Sequence, residues 1–134
     1  MTYDALHIPE TKYTPGVEFR EEESTLFLYG VSRPENAVEF YQPIIDWLDD
    51  YMAVANSDTA LNRRLVIAID LQYFNSVSAK YLMSIIMHAK EGLSKSVAFK
   101  VQWHYSLLDD ESREWGEDMQ SIAGLEFQFI EKDL

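Results

Sequence analysis

Leu65-Val-Ile-Ala-Ile-Asp-Leu71, continued by Gln72-Tyr-Phe-Asn-Ser-Val-Ser-Ala-Lys80, is the stretch that decides how this chain folds. In its first half Leu65, Ile67, Ile69 and Leu71 are large and apolar, while Val66, Ala68 and Asp70 between them are smaller or charged. Side chains of a strand alternate between the faces of its sheet, so this half is a central strand with its heavier face toward a core. In the second half Asn75, Ser76 and Ser78 are preferred helix N-cap residues, and Ala79, Leu82, Met83 and Ile86 then recur at helical spacing. The pattern predicts a helix from Ser78 to Glu91, with Gly92 near its end. Beyond it Val97, Phe99, Val101, Trp103 and Tyr105 alternate with Ala98, Lys100, Gln102 and His104, a strand with one apolar and one wet face. Strand, helix and strand in this order predict a parallel pair joined by a right-handed crossover.

Upstream, a short strand over Ala5–Ile8 ends at Pro9, and Thr11–Gly16 is a turn marked by Pro15-Gly16. Val17 and Phe19 alternate with Glu18 and Arg20, and the charged run Glu21–Ser24 leads into Thr25–Tyr29, closed by Gly30, which makes a hairpin. Ser32 and Glu35 fit a capping box with Pro34 in the first turn, opening a helix whose stripe is Ala37, Phe40 or Tyr41, Ile44, Leu48 and Tyr51. Pro43 is expected to kink that helix or break it near Gln42. A polar loop comes next over Asn56–Asn62. Downstream, Asp109–Gln120 is a short acidic helix anchored by Trp115, and Phe127 and Phe129 mark a last strand. The fold class is α/β: one small layer, a mixed sheet with helices mainly on one face, in a single domain over residues 1–134.

Composition narrows the function. With 23 acidic and 11 basic side chains among 134 residues, the formal charge is −12. That charge opposes binding to nucleic acid or to an anionic membrane surface. No apolar run approaches the roughly 18 residues of a membrane span, so membrane insertion is not expected. The first residues, Met1 to Pro9, carry neither the basic nor the apolar region of a signal peptide, and a cytoplasmic location is expected. With no cysteine, disulfides, thiolate metal sites and cysteine nucleophiles are ruled out.

Catalytic signatures are missing as well. Gly16, Gly30, Gly92, Gly116 and Gly124 are too scattered for a phosphate-cradling loop, and His7, His88 and His104 form no metal-binding pair. The acidic run from Asp109 to Asp118 fails the calcium-loop template, since Arg113 and Glu114 stand where an oxygen ligand and a glycine are needed. No catalytic residue, metal or cofactor is expected. What remains is the junction at Asn75–Lys80, outside the carboxyl end of the central strand, where sites in α/β folds cluster. The helix that starts there presents unpaired N–H groups and a positive dipole end. A phosphate on a serine would place about −1.5 to −2 charges at that point. Simple capping by the same residues is the competing explanation.

Taken in order, Thr11-Lys-Tyr-Thr-Pro15, Gly30-Val-Ser-Arg-Pro-Glu-Asn36, Phe40-Tyr-Gln-Pro43, Trp47-Leu48, Tyr73-Phe-Asn-Ser-Val-Ser-Ala-Lys80 and Trp103-His-Tyr105, with the acidic stretch ending in Gly116-Glu117, resemble the SiaC family of regulatory phosphoproteins from Leu6 to Phe129. The resemblance implies a STAS-like fold and a non-enzymatic role. It implies phosphorylation of the hydroxyl after the Asn, here Ser76, by a Ser/Thr kinase of the histidine-kinase-like ATPase type, and its removal by a PP2C-type phosphatase. The unmodified form is implied to bind and activate a diguanylate cyclase, which connects the switch to cyclic-di-GMP and biofilm signalling. The family often carries a further Ser where this chain has Val77, which leaves Ser76 and Ser78 as rival acceptors, Asn75 as the cap and Lys80 one turn on as a possible phosphate contact. Two alternatives remain open: a STAS-type anti-sigma-factor antagonist in a partner-switching circuit, and a small enzyme or ligand-binding domain using Asn75, Ser76 and His104.

Overall fold

The computed structural model describes residues 2–57 and 64–132. Strands β1 (His7–Ile8), β2 (Gly16–Arg20), β3 (Thr25–Ser32), β4 (Arg64–Phe74), β5 (Ala98–Ser106) and β6 (Gln128–Lys132) form one sheet in the order β1-β2-β3-β4-β5-β6. The first three strands pair antiparallel, and β3, β4, β5 and β6 pair parallel. Helices α1 (Ala37–Ala55), α2 (Ser76–Gly92) and α3 (Asp110–Ala123) provide the crossovers. The mixed α/β sheet and the hairpin agree with the sequence reading.

Alternation explains which face is covered. Leu26 and Leu28 of β3, Leu65, Ile67, Ile69 and Leu71 of β4, and Val101, Trp103 and Tyr105 of β5 share one core with Ile44 and Leu48 of α1 and Leu82, Ile85 and Ile86 of α2. The intervening side chains, among them Phe27, Val66, Lys100 and Gln102, line a shallow open groove on the other face. The helices therefore pack on one side of the sheet.

Several local expectations need correction. Ser32 does not cap α1: it is the last residue of β3 and fully buried, and Asn36 is the cap, accepting the Glu39 amide at 3.0 Å. The same cap-and-acid spacing occurs twice four residues apart, and the chain uses the later copy. Pro43 does not break α1, which runs unbroken from Ala37 to Ala55. Gly30 does not close β3; it takes a φ of +97° and the strand continues to Ser32. The first strand is His7–Ile8 rather than Ala5–Ile8, and α2 begins at Ser76, two residues earlier than expected. Most of the expected loop Asn56–Asn62 lies outside the described residues; Asn56 itself joins the helix ends, accepting the Ser94 amide at 2.7 Å and donating to the Gly92 carbonyl at 2.9 Å.

A register shift near the end of β4 matters for the site. Gly30 faces Leu71 but Val31 faces Tyr73, so Gln72 is an extra residue in β4, a β-bulge. The bulge exchanges the faces of the residues beyond it. Tyr73, which simple alternation would bury, is 52% exposed, and Phe74 instead turns into the core against Trp103 at 5.9 Å between ring centres.

Candidate functional site

Past the bulge the chain leaves β4 at Phe74 and enters α2 at Ser76. Asn75 sits between them in an extended conformation and caps the helix, its side-chain oxygen accepting the Ser78 amide at 2.8 Å. Its own amide donates to the Ser32 carbonyl at 3.1 Å, which fixes the turn to the end of β3. With that cap in place, the next residues divide by helical geometry. Ser76, Val77 and Lys80 are exposed, whereas Ser78 and Ala79 face the core.

Ser78 is fully buried and its hydroxyl is engaged. It donates to the Ser32 carbonyl at 3.0 Å and lies 2.7 Å from the Ser32 hydroxyl, which in turn lies 2.5 Å from the Tyr41 hydroxyl. Burial pushes the Tyr41 phenol above its ordinary pKa, so it keeps its proton. The ring of Tyr41 stacks on Tyr81 of α2 at 5.1 Å, with planes 7° apart.

Large apolar side chains are exposed along this edge of the sheet. Tyr73 precedes Ser76, Val77 comes directly after it, Leu107 and Leu108 leave the end of β5, and Trp115 rises from α3 beside Phe74, 5.3 Å between ring centres. All five are large and exposed, from 40% for Trp115 to 78% for Leu108, and all lie at the carboxyl end of the parallel strands. Of these, Tyr73 and Trp115 line one small hollow with Phe74, and exposed apolar side chains that gather in this way mark interaction surfaces. Trp115 thus ties α3 to the body edge-on through Phe74, as expected, while 40% of it stays open; the larger anchor lies beside it. That anchor is supplied by Gly116, Met119 and Ala123, with the Trp103 indole donating to the Ser112 carbonyl at 2.8 Å.

His104 is elsewhere. It stands on the open face of β5, and the 2.8 Å ion pair between Lys132 and Asp70 spans that strand beside it. Its buried Nε2 has no hydrogen-bond partner among the described residues, and burial lowers its pKa. The contact between base and nucleophile that an enzyme using Ser76 and His104 requires is not formed. Among the described residues no group of three His, Asp or Glu side chains is placed to hold a metal ion, and no helix is long and apolar enough to cross a membrane.

A small sheet covered by helices on one face, with a capped helix entrance and an exposed serine at the carboxyl end of its central strand, defines an α/β binding domain more than a catalytic one. The chain belongs to the SiaC family of regulatory phosphoproteins, whose family model matches residues 8–132. It is 28% identical over 122 residues to an uncharacterized protein of Pseudomonas aeruginosa strain UCBPP-PA14, spanning 91% of this chain and 92% of that one. The crystal structure of apo-SiaC from Pseudomonas aeruginosa superposes with a TM-score of 0.76 at 28% identity, covering 97% of this chain and 99% of that chain. A second match is to the crystal structure of the diguanylate cyclase SiaD in complex with its activator SiaC from the same organism, with a TM-score of 0.78 at 28% identity over 94% of this chain and 97% of that chain.

Proposed function

We propose that this chain is a non-enzymatic regulatory phosphoprotein that binds and activates a diguanylate cyclase, and that phosphorylation of Ser76 switches the contact off. The observation that carries this reading is the exposure of Ser76 at the first residue of α2, next to exposed Val77 and three residues after exposed Tyr73. The complex of SiaD with its activator SiaC supports the cyclase as partner class. The burial and engaged hydroxyl of Ser78 favour Ser76 as the acceptor over Ser78.

The switch arises from desolvation. In the unmodified protein the apolar rim is covered by the cyclase. A phosphate brings about −1.5 to −2 charges into that contact. That charge is added to a chain already at −12, and a phosphate buried in the contact without matching cations is costly. Lys80, one turn along α2, is the near cation that holds the phosphate on this protein's own surface. In this scheme a kinase of the histidine-kinase-like ATPase type adds the group, and a PP2C-type phosphatase restores binding, in the cytoplasm.

The test pairs two substitutions. With the partner kinase and ATP, intact-mass analysis is expected to show one phosphate on the wild type and none on Ser76→Ala. Ser76→Asp is expected to weaken cyclase binding by roughly tenfold or more, about 1.4 kcal/mol, while Ser76→Ala still binds. Phosphate retained by Ser76→Ala, or undiminished binding by Ser76→Asp, overturns the reading. Capture of an anti-sigma kinase instead of a cyclase overturns the partner.

A further inference from the structure

We infer that the buried hydroxyls of Tyr41, Ser32 and Ser78 act as a positioning chain that locks the Ser76 shoulder to helix α1. The proton order in this chain is fixed by its end. A carbonyl only accepts, so the single Ser78 hydroxyl proton goes to the Ser32 carbonyl. The Ser32 hydroxyl must then donate to Ser78, and Tyr41 must donate to Ser32. Every hydroxyl donates once, and the chain runs one way, from α1 through the end of β3 to the first turn of α2.

Three hydroxyls in a fully buried position are an expensive choice unless each is satisfied. Alanine and phenylalanine would fill the same space without that requirement. The chain ends, moreover, on a carbonyl that also accepts the Asn75 amide, so one oxygen of β3 holds both the cap residue and the first buried residue of α2. The Tyr41–Tyr81 stack adds a second tie between the helices. A helix end normally frays; here the entrance is tied at three points. The functional use of this lock rests on the reading of Ser76 above: an acceptor residue held at fixed height is presented in one geometry to a kinase, a phosphatase and an effector in turn.

Amide hydrogen exchange on the intact chain tests the lock without any partner, so its result does not depend on whether Ser76 is phosphorylated. Tyr41→Phe, which removes only the oxygen, is expected to raise exchange at the hydrogen-bonded amides of residues 78–80 by roughly tenfold, with residues 65–71 and 85–91 unchanged. Ser32→Ala is expected to do the same, whereas Ser32→Cys, which keeps a donor of similar size, returns most of the protection. No change at residues 78–80 in Tyr41→Phe and Ser32→Ala overturns the inference. An equal rise throughout the chain, or equal behaviour of Ser32→Ala and Ser32→Cys, also overturns it, because the hydroxyls would then serve packing alone.

Discussion

Asn75 spends its side chain on the Ser78 amide at 2.8 Å, while its neighbour Ser76 is exposed at the first helical residue. The two therefore respond differently to alanine. Asn75→Ala loses the cap and is expected to cost about 1 kcal/mol, seen as a fall in the thermal unfolding midpoint. Ser76→Ala is expected to stay within about 0.5 kcal/mol of the wild type in the same melt. A large loss in Ser76→Ala would mean that this serine is structural. The cluster Asn75, Ser76, Ser78 is legible in the sequence as a helix entrance, and the family resemblance points to Ser76, but spacing alone does not tell which serine is buried. Residues two apart on a helix point about 200° from each other, so inside and outside depend on where the helix starts. Starting α2 at Ser78 makes that serine a cap; starting it at Ser76 buries it.

Helix α3 shows how little space separates an element from the sheet beneath it. A methyl group added at Gly116 would come within 2.6 Å of the Trp103 ring, which is buried and held by the Ser112 carbonyl. Gly116→Ala is expected to lift α3, lose that indole hydrogen bond and cost about 1–3 kcal/mol. Denaturant unfolding measures the cost, and the near-ultraviolet circular dichroism of Trp103 reports the lost contact. At this scale the strands β2 to β5, the three helices and the parallel pairing of β4 with β5 could be read from alternation and periodicity. The bulge at Gln72 could not, because an inserted residue changes register without changing composition, and Tyr73-Phe74 is apolar on either face. For the same reason the sequence shows that Trp115 ties α3 to the body but not that 40% of it stays open: an aromatic residue in an acidic helix gives no sign of how much of its ring is covered.

The molecule as a whole pairs an acidic chain with one histidine, His104, whose burial disfavours its charged form. Burial lowers the His104 pKa; the nearby Asp70 carboxylate opposes this and Lys132 reinforces it. A depressed histidine pKa means that the unfolded chain takes up its proton at higher pH than the folded one. Stability from this group is therefore complete above the ordinary histidine value near 6.5 and is lost as pH falls through it. Neutralising carboxylates of a protein at −12 works the other way by easing repulsion, so a comparison isolates the histidine. The advantage of the wild type over His104→Gln in unfolding midpoint is expected to be larger at about pH 8 than at about pH 5.5. An advantage that does not vary with pH would show that His104 titrates alike in both states.

Of the three tryptophans, Trp47 and Trp103 are buried at 6% and 2% exposure, while Trp115 stands 40% open beside the residues that lead into Ser76. The red edge of the protein's fluorescence, and nearly all of its quenching by acrylamide, should therefore come from one indole at the rim. The chain carries its own optical gauge of whether that rim is wet or covered, with no dye to attach.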